Sequence, residues 1–324
     1  ALDHNFMQIK EQLDLDDYKQ SHLYSYIKSY LSVVQSEEQY SYKIAQHKYS
    51  LRTLQLVKQK YKHGLVKKSD LHYAQADLSA KLADKLSSEN NLSIQKHNFT
   101  NITGIKNFKL GVISKRAHYI LPKPYNINVW VKRGLKNNYT ILAANKYYQA
   151  SDFYLRQARA GHLPTVSLDA SVTRYEEVDN KPYKRDLGVT VTLPIFTGNN
   201  TRLLSKQAAE LRTYSKYLYH ATRNEVIKDI HDAYNNIENN LSMLVALNSS
   251  KKYMQTVYND TVAGYKHKTR TIVEVQDAQA KLLSAQLDHL EAKINFILAK
   301  LKLSQYTGEL TIESLNQVNS YLLI

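Results

Sequence analysis

Residues 163–198 read LPTVSLDASVTRYEEVDNKPYKRDLGVTVTLPIFTG, and their patterning decides the fold. In the first arm Val166, Leu168, Ala170 and Val172 alternate with Thr165, Ser167, Asp169, Ser171 and Thr173. This period of two places every apolar side chain on one face of a strand. In the second arm Leu187, Val189, Val191, Leu193 and Ile195 share one face, while Gly188, Thr190 and Thr192 share the other. EEVDNKPYKR, residues 176–185, joins the arms. Each arm is about ten residues, the length with which a tilted strand crosses a bilayer. Apolar-out, polar-in alternation is how an outer-membrane barrel meets lipid and lumen at once. A hairpin in a soluble sheet alternates in the same way, so the flanking sequence must separate the two readings.

The 324 residues are 43% hydrophobic, enough for a core, and contain no run of eighteen apolar residues. That excludes a transmembrane helix and leaves a barrel untouched. The opening ALDHNFMQIK lacks a basic stretch followed by an apolar one, so it does not read as a signal peptide. Without Cys there are no disulfides, thiolate nucleophiles or Cys-ligated zinc sites. The formal charge of +15 suits an anionic partner, but Lys and Arg are spread along the chain without a compact basic block. Solvated faces of long helices account for that distribution, and nucleic acid is not expected as a partner.

Gly and Pro punctuate the chain unevenly. Residues 1–63, 65–103, 199–263 and 265–307 contain neither, whereas 104–134 and 161–198 hold most of both. Helices of roughly 60 residues at about 1.5 Å each reach some 90 Å, which suits a coiled coil or a tube. The spacing of Leu283, Leu287, Leu290, Ile294, Ile297 and Leu301 is a heptad seam, and Ile230, Ile237, Leu241 and Leu244 carry a similar one. Two antiparallel helices joined at Gly64, and two more joined near Gly264, are expected.

The chain also repeats itself. Tyr61-Lys62-His63 recurs as Tyr265-Lys266-His267, Ala74-Gln75-Ala76 as Ala278-Gln279-Ala280, and Thr103-Gly104 as Thr307-Gly308, always at an offset of 204. Between 61–104 and 265–308 there are 13 identities in 44 ungapped positions. This is a duplicated helical hairpin. The same subtraction places the first copy's strand hairpin before residue 1.

Ala160-Gly161-His162-Leu163-Pro164-Thr165, then Leu193-Pro194-Ile195-Phe196-Thr197-Gly198, then Gly264-Tyr265 followed by Thr269-Arg270-Thr271-Ile272-Val273-Glu274-Val275-Gln276-Asp277-Ala278, resemble the TolC family of outer-membrane efflux and type I secretion ducts. The resemblance spans the chain, as that of an N-terminally truncated member. It implies a mainly α fold: long antiparallel helical hairpins forming a coiled-coil tunnel, plus a two-stranded transmembrane β-hairpin contributing to a trimeric β-barrel. By segment, it implies a first periplasmic helical hairpin over 1–104 and an irregular equatorial segment over 105–140. A helix over 141–162 leads into the outer-membrane hairpin of 163–198. The second helical hairpin covers 199–308 and a C-terminal equatorial segment covers 309–324. The implied partners are two further copies, a periplasmic adaptor, an inner-membrane pump and outer-membrane lipid, with no cofactor.

The same resemblance assigns an entrance gate to Asp70, Tyr265 and Arg270, and a cation-selective carboxylate ring to Glu274 and Asp277. It places adaptor docking at the tips Gly64, Leu65, Lys268 and Thr269. Glu274 and Asp277, three apart, share a helix face. Lys268 stands where the family carries Gly, so a positive-φ turn there costs about 1 kcal/mol. A trimer of this hairpin alone holds half the family's strands, which leaves a fragment or remnant as one alternative. A non-membrane coiled-coil interaction protein is another. An enzyme is not expected: no two His are closer than nine residues, so no helical His pair presents itself to a metal, and no Gly-rich phosphate loop is present.

Overall fold

A computed structural model of the chain describes residues 2–108, 110–114, 117–174 and 183–323. The connection between the two alternating arms, residues 175–182, lies outside the described residues. In order the elements are α1 (Leu2–Lys62), α2 (Lys68–Thr103), β1 (Val112–Ile113), α3 (Ile127–Asn137), α4 (Tyr139–Ala160), β2 (Thr165–Arg174), β3 (Tyr183–Thr192), α5 (Asn200–Lys266), α6 (Ile272–Tyr306), α7 (Ser314–Asn319) and β4 (Leu322–Leu323). Two compact units result, residues 1–17 with 139–226 and residues 18–138 with 227–324.

The first unit holds the strand hairpin. β2 and β3 pair antiparallel in a ten-rung ladder that sets Val166 opposite Val191, Leu168 opposite Val189 and Ala170 opposite Leu187. The intervening rungs pair Thr165 with Thr192, Ser167 with Thr190 and Asp169 with Gly188. The two expected faces therefore exist, one apolar and one polar. The second strand ends at Thr192, short of the expected Leu193 and Ile195, next to Pro194, which has no N–H to donate to a ladder. Below the hairpin, Phe6 of α1 stacks on Phe153 of α4 with ring centroids 5.2 Å apart. Asp152 of α4 binds Arg212 of α5 and, at 2.9 Å, Arg156. The bond from Arg212, then that from Arg156, holds the Asp152 carboxyl below its ordinary pKa.

The second unit contains both helical hairpins. α1 and α2 run antiparallel: Ser36 bonds Asn91, Lys43 bonds Asp84 and Ser50 bonds Asp77, partners that converge towards the turn at Gly64. The heptad seam is the centre of the packing. Leu290, Ile294, Ile297 and Leu301 of α6 are buried with Ile27, Leu31 and Val34 of α1. The segment expected to be irregular, 105–140, contains the helix α3, capped by the Asn126 side chain, which accepts from the Asn128 N–H at 2.9 Å. β1 pairs with β4, so this segment and the C-terminal segment form one layer, reinforced by an Arg133–Glu309 ion pair at 3.4 Å. Among the described residues no helix is long and apolar enough to cross a membrane.

The second hairpin turns four residues beyond Gly264, at the Lys268 tip named by the resemblance, because α5 continues through Gly264 to Lys266. A Cβ on Gly264 would lie 2.6 Å from Arg270 Cγ. This glycine therefore admits the returning chain and does not end the helix. The turn residue is Lys268, with φ of +64°.

Candidate functional site at the helical tips

Both tips close in the same way. At the first, the Gly64 N–H donates to the Tyr61 carbonyl at 3.0 Å and the Leu65 N–H to that of Lys60 at 2.9 Å. At the second, the Lys268 N–H donates to Tyr265 at 3.2 Å and the Thr269 N–H to Gly264 at 2.9 Å. Each is a Schellman motif with a left-handed residue, Gly64 at φ +68° or Lys268 at φ +64°, and the two coincide at the repeat offset. Thr269 Oγ1 adds a bond to the Gly264 carbonyl at 3.0 Å. Gly64, Leu65, Lys268 and Thr269 are all exposed.

After each tip the next helix begins with a cap. The Lys67 N–H donates to Asp70 Oδ2 at 3.1 Å, and at the equivalent place the Thr271 N–H donates to Glu274 Oε2 at 2.6 Å. Thr271 Oγ1 also accepts from the Glu274 N–H at 3.2 Å, completing a capping box that a Lys side chain, which is donor-only, does not complete at the first tip. Asp70, expected in the gate, and Glu274, expected in the ring, are thus the same position of the repeat.

Glu274 is bound on both oxygens, because Arg270 Nη1 donates to Oε1 at 2.6 Å. The Thr271 backbone N–H, then Arg270, then the Thr271 hydroxyl bring its pKa down to about 2, so it is ionised at any physiological pH. Asp277 pairs with Lys281 at 2.8 Å. Both expected ring carboxylates therefore carry a cationic partner, Glu274 from the turn before α6 and Asp277 from α6 itself. Arg270 and Glu274, assigned to separate roles, form one ion pair.

Within one chain the described contacts do not join Asp70 to Tyr265 or Arg270. Tyr265 instead meets Lys60 of α1: Nζ donates to the phenolic oxygen at 3.2 Å and lies 4.3 Å from the ring centroid. Asp77 accepts from Ser50 at 2.6 Å and from Gln276 of α6 at 3.1 Å, so it ties the two hairpins together further along. Tyr49 and Tyr258 meet edge-on between α1 and α5 at 6.3 Å, and Ile272 is buried with Leu54, Val57 and Ala74. Lys60, Asp77 and Gln276 escape sequence reasoning because each contact links segments about two hundred residues apart. The available signal is divergence between the copies: Lys60 stands opposite Gly264, Gly64 opposite Lys268 and Lys68 opposite Ile272, at intervals of four.

A family model described as "Outer membrane efflux protein" matches residues 130–309. The chain is 28% identical over 304 residues to Outer membrane protein TolC of Vibrio cholerae, covering 91% of this chain and 69% of that protein. It is 26% identical over 311 residues to Outer membrane protein TolC of Escherichia coli, covering 91% of this chain and 62% of that protein. The chain thus spans about two thirds of the length of these relatives. The fold matches the crystal structure of the Campylobacter jejuni CmeC outer membrane channel with a TM-score of 0.82 at 15% identity, over 96% of this chain and 68% of that one.

Proposed function

Because the chain belongs to the outer membrane efflux protein family, whose model covers residues 130–309, we propose that it is the outer-membrane duct of a tripartite efflux or type I secretion system. In this reading it passes small molecules or proteins across the periplasm and outer membrane. It acts as a homotrimer docked, through Gly64, Leu65, Lys268 and Thr269, on a periplasmic adaptor and an inner-membrane pump. The observation that carries the reading is the strand hairpin. Val166, Leu168, Val172, Leu187, Val189 and Val191 form a continuous apolar face that is 65–78% exposed. A water-facing strand pair does not expose such a face without another surface to cover it, and lipid is that surface. The two free edges of the pair require strands from neighbouring protomers, since unpaired backbone is not tolerated in hydrocarbon.

The gate follows from the tips. Tyr265, held by Lys60 of the first hairpin, restrains the second hairpin at the entrance, Arg270 is held to Glu274 within its own tip, and Asp70 is available to a neighbouring protomer. Glu274 and Asp277 of three protomers ring the constriction and favour cations.

The membrane assignment is tested on the hairpin. Val191→Arg places a charge on the lipid face at a cost of about 2–4 kcal/mol near mid-bilayer, whereas Thr190→Arg faces the lumen and costs little. Urea titration of protein folded into vesicles should separate the two variants by that amount. Equal stability would mean that the apolar face does not meet lipid.

A further inference from the structure

The helix ends beneath the strand hairpin carry cations that neither the tunnel nor the gate uses. Ser205 Oγ of α5 donates to the Ala158 carbonyl of α4 at 3.2 Å, so the last turn of α4 lies against the first turns of α5. From these turns project Arg159, His162, Arg202 and Lys206, all exposed. None of the four forms an ion pair among the described residues, whereas Arg156, one turn away, is bound to Asp152 at 2.9 Å. Residues 153–163 and 193–209 contain no Asp or Glu. Arg159 complements the carbonyl end of α4, but Arg202 and Lys206 oppose the macrodipole at the start of α5, so helix stability does not account for them.

Apolar side chains surround the same turns. Leu163, Leu193 and Leu203 are about 60% exposed, Phe196 87% and Ile195 94%. Exposed aliphatic and aromatic groups bordered by unpaired Arg and Lys fit the boundary between acyl chains and phosphates, where apolar groups enter the hydrocarbon and cations stay at the headgroups.

We propose that this surface binds anionic phospholipid: Arg159, Arg202 and Lys206, with His162 beside them, take headgroup phosphates of the periplasmic leaflet, while Leu163, Ile195, Phe196 and Leu203 enter the acyl boundary. The inference rests on the outer-membrane reading, which puts β2 and β3 in the bilayer and these turns at its periplasmic surface. The contact fixes the depth of the hairpin, with the helices outside the membrane.

The test is flotation of the detergent-purified full chain with vesicles of phosphatidylcholine alone or with one quarter phosphatidylglycerol. A basic residue near an anionic surface strengthens partitioning about fivefold. The wild type should therefore partition at least tenfold more strongly into the anionic vesicles, and salt should abolish the difference. Arg159→Gln with Arg202→Gln and Lys206→Gln should lose the preference and keep the binding to phosphatidylcholine. Lys58→Gln with Lys216→Gln and Lys252→Gln, equal in charge and placed elsewhere, should keep both. Equal partitioning of the wild type into the two vesicles, or an anionic preference that survives the first triple substitution, overturns the headgroup site alone. Failure to float with either vesicle overturns the membrane reading on which it rests.

Discussion

The first helical hairpin turns on Gly64 and the second on Lys268, with φ of +68° and +64° and the same pair of closing hydrogen bonds. The first continues into an exposed Lys68, the second into Ile272, which is buried between Leu54, Val57 and Ala74. The first caps its returning helix with Lys67 and Asp70 and the second with Thr271 and Glu274, the latter also bound to Arg270. One backbone plan thus tolerates opposite residue choices. The turn is dictated by carbonyls at the helix end that need partners, and by packing on either side, so its residues are free to diverge. In the second copy an αL lysine, a buried isoleucine and a glutamate bound on both oxygens build a more tightly tied tip.

The strongest way to break the comparison is to remove the buried member of the Lys68/Ile272 pair. Ile272→Ala should lower stability by about 2–4 kcal/mol, measured by urea unfolding, while Lys68→Ala should stay within about 0.5 kcal/mol. Similar losses at both positions would mean that the second helix is not seated on the first hairpin.

A second asymmetry lies at His289, whose counterpart is the half-exposed Lys85. His289 is 7% exposed and its Nδ1 lies 3.2 Å from Lys251 Nζ. Burial, then the ammonium groups of Lys251 and Lys293, push its pKa down to about 4. The folded state thus prefers the neutral ring, and between pH 6.5 and 4 the unfolded chain binds the extra proton. Stability is complete above about 6.5 and falls as the pH drops towards 4, by up to about 3 kcal/mol. His289→Gln should flatten that window in unfolding measured against pH. A wild-type profile that is level from 7 to 4 would contradict this environment for the ring.

The smallest expected effect tests the turn itself. Lys268→Gly should stabilise by about 1 kcal/mol and Gly64→Lys should destabilise by a similar amount, since only glycine adopts αL without strain. Thermal unfolding of the two variants should therefore move in opposite directions.

These positions also show where sequence reading succeeds and stops. The strand faces, the duplicated hairpins and the heptad seam are periodic, and periodicity survives translation into structure: Val166 faces Val191, and Leu290, Ile294 and Ile297 are buried. Glycine punctuation found the first tip and misplaced the second, because Gly264 serves close approach to Arg270 and a lysine takes the left-handed turn. The resemblance assigned residues to a proposed entrance one by one but not their partners. That Glu274 is bound to Arg270, and Tyr265 to Lys60, depends on side-chain geometry at the end of α6 and on packing between hairpins, neither of which leaves a period in the sequence.

In the proposed duct Arg270 neutralises Glu274, so loosening the proposed gate and exposing the proposed ring are a single event. Single-channel recording of the detergent-extracted protein in a planar bilayer tests this account most directly. The wild type should give small, discrete, cation-selective steps, and Tyr265→Phe with Arg270→Ser should raise both the conductance and the cation preference as Glu274 loses its partner. Protein that yields no conductance steps, or pores whose selectivity is indifferent to Arg270, would contradict it.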